Sequence, residues 1–531
     1  MILSLCIYAS FFSIGKVNDS RVSGVVKEVK DNQIIVFDKG IGYALFIKEH
    51  DLQIGDKVTI EFKSLELEEE RNKGGFNEKK YYNGKRIFSK GQVLKLEKTG
   101  HQFSLRAGFL NYLSRSRANQ SMKYLLAGQK SEEIQNYTST LQSLSVLHLF
   151  AVSGMHFSLL SSMVSKLKSK ILIHIVCLLY AICLEGNIAA WRAYLMMVLR
   201  EMNYNGWNEL DRFGLVGIIF IIYNPYIPFN MSFVYSMGMY LAVILFKGEK
   251  FQWLYIYFVS LMIQSYFNYS IWPLGILFSF IMTPFIELLF KIFILNTCLY
   301  FVLDSLCLYL WQIIIGASTF LSHYSFQLII GKTPILLVVL YFYCLIYFVY
   351  TKKKRGILAF TIVLLGVWSS PYFRNYGEIT MIDVGQGDCF LVSLPHQKAN
   401  FLIDTGGNIQ KDLAQDTIIP YLYYRGIREL DGVFISHEDF DHCGALDSLL
   451  ENFKVKNVIY QFETINIGGI DIQNLNQYMA LDKNDGSQVL SMKIGPFHCL
   501  FLGDASSIIE EKIVRDFPNL QVNLLNPSIA I

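Results

Sequence analysis

Charge is scarce in this chain. Only 17% of its 531 residues are Asp, Glu, Lys or Arg, whereas 52% are hydrophobic and 15% aromatic. At this length, with a mean hydropathy of +0.33, so thin a charged fraction excludes an ordinary soluble protein and points to the polytopic membrane class. The net charge of +3 is too small to name an acidic partner, so only its local distribution is informative. Cysteine lacks pattern: Cys6, Cys177, Cys183, Cys298, Cys307, Cys344, Cys389, Cys443 and Cys499 show no CxxC spacing, which argues against a disulfide framework or a cysteine zinc cluster. No GxxxxGK[ST] phosphate loop is present, so any ATP-driven step must come from another protein. Met1 to Ile14 is apolar but shorter than the roughly twenty residues a span needs, and no basic leader precedes it. It reads as the tail of a membrane anchor or a chain start that has lost one; a cleaved signal peptide is the weaker alternative.

The charges that exist gather between Lys16 and Arg117 and again after Arg374, bracketing an apolar middle. Several domains are expected at this length. Alternating stretches at Val22–Val29, Gln33–Asp38, Tyr43–Ile47, Lys57–Phe62 and Gln92–Leu96, separated by turn residues, predict a small Greek-key barrel of the OB type. Between Arg71 and Lys98 nine Lys or Arg stand against two acids, Glu78 and Glu97, interleaved with Phe76, Tyr81, Tyr82 and Phe88. Cations follow a phosphate backbone while aromatic faces stack on bases, so Lys79, Lys80, Tyr81, Tyr82, Lys85 and Arg86 are candidate DNA-binding residues. On composition alone, a solvated loop balancing the acidic run Glu66–Glu70 explains the stretch equally well.

Leu105 to Gln142 reads as an amphipathic helix with Arg106, Arg115, Arg117 and Lys123 on its polar face. Ten apolar segments follow, several shorter than a span, and predict seven to ten membrane helices. Three features exceed what a lipid-facing helix needs: the run His148 to His156, with Ser153 and Gly154 inside it; Arg192; and Asn224-Pro225 followed by Asn230, Ser232 and Ser236. An arginine within an apolar segment is expensive unless it faces protein or water, so His148, Ser153, Gly154, His156 and Arg192 are candidate channel residues. Interhelical hydrogen bonds holding the bundle are the alternative. Lys352-Lys353-Lys354-Arg355 between the last two apolar segments belongs in the cytoplasm by the positive-inside rule, which delivers the C-terminal domain to the outer face; a cytoplasmic C-terminal domain is the runner-up.

Beyond Arg374 short strands are expected at Glu378–Val384, Cys389–Leu394, Asn400–Ile403 and Gly432–Ile435. The last runs into Ser436-His437-Glu438-Asp439-Phe440-Asp441-His442, two imidazoles and three carboxylates in seven residues. Asp404 and Asp504 end strands in the same manner, with glycines beside them that permit sharp turns. His437, Asp439, Asp441, His442 and Asp504 are the candidate ligands of one or two divalent ions, with Asp504 able to bridge and Asp439 and Asp441 the candidate catalytic carboxylates. So oxygen-rich a set leans to Mn2+, with Mg2+ or Zn2+ as alternatives. Two close metals would activate water and clamp the oxygens of a phosphodiester.

Taken in order, HLFAVSGMHF at 148–157 with Arg192-Ala193 and Asn224-Pro225, NKGGFNEKKYYNGKRI at 72–87, and DVGQGD at 383–388 with LIDTG, Pro420–Gly426 and Ser436–Gly444, resemble the ComEC family of DNA-uptake channels. The resemblance implies a polytopic α-helical membrane protein with an N-terminal OB-like barrel and a C-terminal metallo-β-lactamase-like αβ/βα domain. It implies domains at 1–15 (partial anchor), 16–104 (DNA-binding barrel), 105–371 (channel) and 372–531 (hydrolase). A bacterial plasma-membrane channel admitting one strand of transforming DNA is then expected, with the barrel and hydrolase outside and the hydrolase degrading the other strand. Implied partners are single- and double-stranded DNA, the lipid bilayer, a competence DNA receptor, a separate ATPase motor and a second copy in a homodimer. The family's His-x-His-x-Asp-His pattern has Asp439 at its second histidine, as ComEC-like proteins do. The chain reaches Gln521–Ile531 before a His-His-Gly-Ser element, so the hydrolase is expected to be C-terminally incomplete, and an inactive hydrolase on a working permease is one alternative. A membrane-anchored metallohydrolase acting on a non-nucleic substrate is another, but it gives Arg192 and the basic stretch no work.

Overall fold

The computed structural model describes residues 20–30, 32–202, 206–477 and 484–526, so the apolar stretch Met1–Ile14 lies outside the described residues. The chain forms two compact units. One holds residues through Glu69, Asn77–Ile263 and Trp272–Leu328; the other holds Glu70–Phe76, Gln264–Ile271 and everything from Ile329.

The first unit opens with a closed barrel of β1 (Arg21–Lys30), β2 (Gln33–Asp38), β3 (Ile41–Phe46), β4 (Asp56–Leu65) and β5 (Ile87–His101), in the order β1-β2-β3-β5-β4. Alternate residues point inward, and Val22, Val26, Ile34, Val36, Leu45, Ile60 and Phe62 fill the interior. Bulges at Val26/Glu28 and Glu61/Phe62 curve the strands enough to close. At the rim, buried Asp56 accepts from Lys98 Nζ at 2.8 Å, His101 Nδ1 at 2.8 Å and Gln53 N at 2.9 Å. Burial opposes its charge, but these partners outweigh it and hold the carboxyl below its ordinary range. Between β4 and β5, the short helix α1 (Glu78–Gly84) starts at Asn77, whose side chain accepts from Lys80 N.

Leu105 to Gln142, expected as one amphipathic helix, is three: α2 (Leu105–Leu113), α3 (Asn119–Ala127) and α4 (Glu132–Ser143). Gly128, at φ 66°, ends α3, and the Ser131 side chain caps the start of α4. Their apolar faces do not stay amphipathic at a surface; Leu113, Met122, Leu125, Ile134 and Leu141 enter a core with Phe290, Phe293 and Trp311. The bundle continues with α5 (Leu147–Phe150), α6 (Gly154–Ser165), α7 (Lys170–Cys183), α8 (Ile188–Glu201), α9 (Glu209–Tyr223), α10 (Met231–Leu245), α11 (Gly275–Cys298) and α12 (Asp304–Ser322). Buried Asp304 ties α12 to its neighbours by accepting from Ser116 Oγ at 2.6 Å, Arg117 N at 2.7 Å and Asn296 Nδ2 at 2.9 Å.

The second unit contains a helical hairpin, α13 (Ile335–Thr351) and α14 (Lys354–Ser369), turning at Lys352 with φ 52°. Among the described residues, three helices are long and apolar enough to cross a bilayer: Gly275–Cys298, Asp304–Ser322 and Lys354–Phe373. Seven to ten were expected; caps such as Ser153 and Asn208 divide the apolar sequence into shorter pieces.

After the hairpin come two five-stranded sheets. One, β6 (Glu378–Met381), β7 (Phe390–Ser393), β8 (Asn400–Ile403), β9 (Gly432–Phe434) and β10 (Val458–Ile459), is ordered β10-β9-β8-β7-β6. The other runs β11 (Thr464–Ile467), β12 (Ile470–Asn474), β13 (Leu490–Ile494), β14 (Phe497–Phe501) and β15 (Leu524–Asn526) in sequence order. Phe390, Val392, Phe401 and Phe434 of the first sheet pack on Ile472, Leu490, Met492 and Phe501 of the second. The outer face of the first sheet takes α15 (Ile419–Arg425) and α16 (Leu446–Asn452) through Leu422 and Leu449, and that of the second takes α17 (Ser507–Asp516) through Ile509 and Ile513. The result is an αβ/βα sandwich, as the family resemblance implied, with strand ends converging on one edge.

Candidate functional site

That edge collects the acidic and imidazole side chains. The chain leaves β8 at Asp404, whose φ of 58° is a left-handed value that a non-glycine residue adopts only under constraint. The constraint is visible: Asp404 is 1% exposed, and its carboxylate accepts from Ser436 N at 2.7 Å, Ser436 Oγ at 2.7 Å and His442 Nδ1 at 2.9 Å. Asp404 therefore uses its oxygens to aim two neighbours. With Nδ1 so engaged, His442 presents Nε2 to Asp504 Oδ1 at 3.4 Å and Asp441 Oδ2 at 4.0 Å.

His437 is held in the same way. Its Nδ1 lies 3.1 Å from Ser436 Oγ, which already donates to Asp404, so His437 Nδ1–H donates and Nε2 carries the lone pair. That Nε2 is buried and has no hydrogen-bond partner among the described residues; Asp439 Oδ2 is 3.6 Å away and Asp504 Oδ2 3.9 Å. One donor atom from each of His437, His442 and Asp504 falls within 4.8 Å of the others. An orphaned imidazole lone pair facing carboxylates is what a divalent cation relieves, so the donor set fits one. Asp439 and Asp441 flank it from the exposed rim.

Electrostatics point the same way. Burial and the neighbouring His442 push the His437 imidazole down. For His442 burial also opposes charge, but the Asp404 hydrogen bond and the Asp404, Asp504 and Asp441 carboxylates prevail and push it up to about 9. Burial raises the Asp388 carboxyl, with Asp404 and Asp504 adding to the effect. Asp388, part of the DVGQGD motif but outside the expected ligand set, accepts from Asn526 Nδ2 at 3.0 Å. Its signal was the glycine before it. A Cβ on Gly387 would lie 1.6 Å from the Asp441 carbonyl oxygen, and one on Gly407 would lie 1.9 Å from that of Phe440, so both loops rest directly on the His437–His442 segment.

The candidate channel residues form a second constellation. Ser153 caps α6, accepting from Met155 N at 3.3 Å, while Ser153 N donates to His156 Nδ1 at 3.1 Å. His156 is fully buried against the edge of Phe290, and its Nε2 has no hydrogen-bond partner among the described residues. Buried Arg192 donates from Nε to Ser236 Oγ at 2.7 Å and places its guanidinium 4.5 Å from the Tyr240 ring centroid. Arg192 Nη2 would sit 2.8 Å from a Cβ on Gly154, so the glycine makes room for the cation. His148 is exposed, with Nδ1 at 2.9 Å from the Ser145 carbonyl. Asn224 Nδ2 donates to the carbonyls of Asn83 and Gly84 at 3.0 and 3.1 Å, and Asn230 Nδ2 to that of Gly84 at 3.2 Å, so both secure the C-terminal end of α1.

The candidate DNA-binding residues divide. Lys79, Lys80 and Tyr81 are exposed, Lys79 pairing with Glu69 at 2.7 Å and Lys85 donating to Tyr81 OH at 2.6 Å. Tyr82 packs on Ile35, Ala44 and Ile87 and accepts from Gln33, and Arg86 lies over the Tyr223 ring.

Residues 382–471 match the metallo-beta-lactamase superfamily, and residues 125–355 match the competence protein family. These matches support the resemblance to the ComEC family of competence proteins. It is 25% identical over 472 residues to ComE operon protein 3 of Bacillus subtilis, covering 72% of this chain and 60% of that protein. It is 22% identical over 583 residues to Recombination protein 2 of Haemophilus influenzae, covering 88% and 72%. Competence protein ComA of Neisseria gonorrhoeae is 28% identical over 157 residues, covering 27% and 22%. The chain thus spans 60% of the length of the Bacillus relative. Its metallo-beta-lactamase match implies a divalent metal at the strand-end site.

Proposed function

We propose that the chain is a multi-pass permease of the bacterial plasma membrane that admits single-stranded transforming DNA during natural competence, with a metal-dependent hydrolase domain that degrades the strand left outside. The reading rests first on Arg192. A guanidinium buried among apolar helices and met by a hydroxyl, an aromatic face and a glycine, without a carboxylate contact among the described residues, is poor as structural glue and well suited to a passing phosphate. Exposed Lys79, Lys80 and Tyr81 on the barrel side, residues 16–104, support DNA capture before it enters the helical part, residues 105–371. A separate DNA receptor and ATPase motor complete the machine.

In the hydrolase domain, residues 372–531, His437, His442 and Asp504 would hold the metal, with Asp439 and Asp441 at its open side; Mn2+ suits this oxygen-rich set best. Bound there, a divalent ion would supply Lewis-acid activation of water and neutralise charge at a phosphodiester. The chain's own contribution is positional: Asp404 fixes the His442 tautomer, Ser436 fixes that of His437, and half-buried Asp439 and exposed Asp441 would accept a proton from an attacking water.

A transformation assay in a host carrying Arg192→Ala, with the amount of membrane-inserted protein checked, tests the permease. Loss of uptake is expected; normal uptake would sink the reading. For the hydrolase, purified full-length protein should cleave DNA with added Mn2+, and His437→Ala should abolish the cleavage.

A further inference from the structure

A second cluster of cations lies in the unit that holds the hairpin, apart from the metal centre. A cavity of about 330 Å³ is lined by Lys73, Lys332, Arg374, Glu378, Tyr424 and Arg425, four cations against one carboxylate. Glu378 answers only part of that charge, accepting from Arg425 Nη2 at 2.5 Å. Arg425 is 6% exposed, and its Nε is buried with no hydrogen-bond partner among the described residues; Arg374 Nη1 is in the same condition. Buried guanidinium N–H groups left unmatched are destabilising, so they call for an acceptor. Burial and the charge of Arg425 together hold Arg374 below its ordinary range, which an anion between them would reverse.

The surroundings identify the kind of anion. Pro334, just before α13, and Ser370 and Pro371, just after α14, also border the cavity, so it opens where both hairpin helices end. Next to it, Trp368, Tyr372, Phe373 and Tyr376 are exposed at 42%, 39%, 74% and 59%, and Ile335 and Leu336 at 65% and 74%. Exposed aromatics at the end of an apolar helix, above bare aliphatic side chains, form the belt found at a membrane–water boundary. A cavity of this size at that level accepts a phosphoglycerol head group while the acyl chains follow the hairpin.

We propose that Arg374 and Arg425, assisted by Lys73 and Lys332, form a binding site for the phosphate of an anionic phospholipid. The proposal rests on the membrane reading above. The two fail separately: a chain that stays monodisperse without detergent would refute the membrane reading, whereas a detergent-dependent chain without lipid preference would refute this site alone.

The test is native mass spectrometry of the full-length protein in detergent, titrated with short-chain phosphatidylglycerol or phosphatidylcholine. Wild type should retain phosphatidylglycerol about tenfold better, the scale expected for a basic pocket at the bilayer surface. Arg374→Gln and Lys332→Gln, which leave the Arg425–Glu378 pair in place, should reduce that preference at least threefold each, with unchanged melting temperature. Equal retention of the two lipids, or wild-type preference in both variants, would overturn the site. Displacement of the lipid by free glycerol phosphate at equal concentration would reassign it to a soluble phosphate. Displacement by a short oligodeoxythymidylate would reassign it to nucleic acid; either result would overturn the lipid proposal.

Discussion

Two regions of this chain bury charged or chargeable nitrogen, and they treat it in opposite ways. In the helical bundle, Arg192 is met by Ser236 Oγ, the Tyr240 ring and the space above Gly154, with no carboxylate within salt-bridge distance among the described residues. At the strand ends, His437 and His442 face Asp404, Asp439, Asp441 and Asp504. The first site has surplus positive charge and suits an anion; the second has surplus negative charge and suits a cation. Burial amplifies both demands, since water cannot screen either set.

The largest expected effect comes from erasing the first demand. Truncating one partner of a buried, hydrogen-bonded charge pair at an interface typically costs about 2–5 kcal/mol. If Arg192 contacts DNA in transit, Arg192→Ala lowers transformation by about two to three orders of magnitude. Arg192→Lys keeps the charge but loses the planar fork over Tyr240, and should recover only a minor part. Colony counts normalised to membrane protein check both. Equal activity of all three forms would mean that the cation is structural, and the contrast between the two regions would collapse.

The second demand is tested through the residue that aims the ligands. Asp404→Ala frees His442 Nδ1 and Ser436, and Mn2+ affinity measured by chelator competition should fall about 10–100-fold. Acidity gives a further handle. His442 is raised from 6.5 to about 9, so in the metal-free protein its contribution to stability is complete below pH 6.5 and lost as pH rises through 9. Metal binding must displace that proton, so Mn2+ affinity should move oppositely, rising up to about tenfold per pH unit between pH 7 and 9. Thermal melts with and without Mn2+ across this range would show the two trends crossing.

Much of this was legible from local pattern. Period-two alternation located the barrel strands and β7 to β9, because one face of each strand meets a core. Carboxylates just past strand ends pointed to the edge where His437, His442 and Asp504 come together as a group that could hold a metal ion. What escaped was set by tertiary contact. Asp404 has the same strand-end context as Asp504, yet one is turned inward to hold His442 and the other faces the donor cluster. Asn224 and Asn230 interrupt apolar sequence as a pore-lining residue would, but serve as donors to the end of α1. Tyr82 and Arg86 sit in the basic aromatic stretch, but spend their faces on the barrel side and on Tyr223. The stretch Arg71 to Lys98 reads as one unit in composition, yet Glu70–Phe76 groups with the αβ/βα sandwich, whereas the residues from Asn77 group with the barrel and bundle.

That division yields the smallest of the expected effects. Asn72 donates from Nδ2 to the Asp383 carbonyl at 2.8 Å and accepts from Asp383 N at 2.9 Å, while Arg71 Nη1 lies 3.9 Å from Asp383 Oδ1. Asp383 opens the loop that carries Gly387 onto Asp441 and sets Asp388 beside the acidic cluster. Each of the two amide bonds is partly exposed and contributes about 0.5–1.5 kcal/mol. Asn72→Ala should therefore loosen the loop without unfolding the sandwich: hydrogen exchange at residues 383–388 speeds up about tenfold, and Mn2+ affinity drops by no more than about fivefold. Arg192→Ala should leave both quantities unchanged. If Asn72→Ala instead abolished metal binding, the 383–388 loop would supply a metal ligand, and Asp388 would join His437, His442 and Asp504.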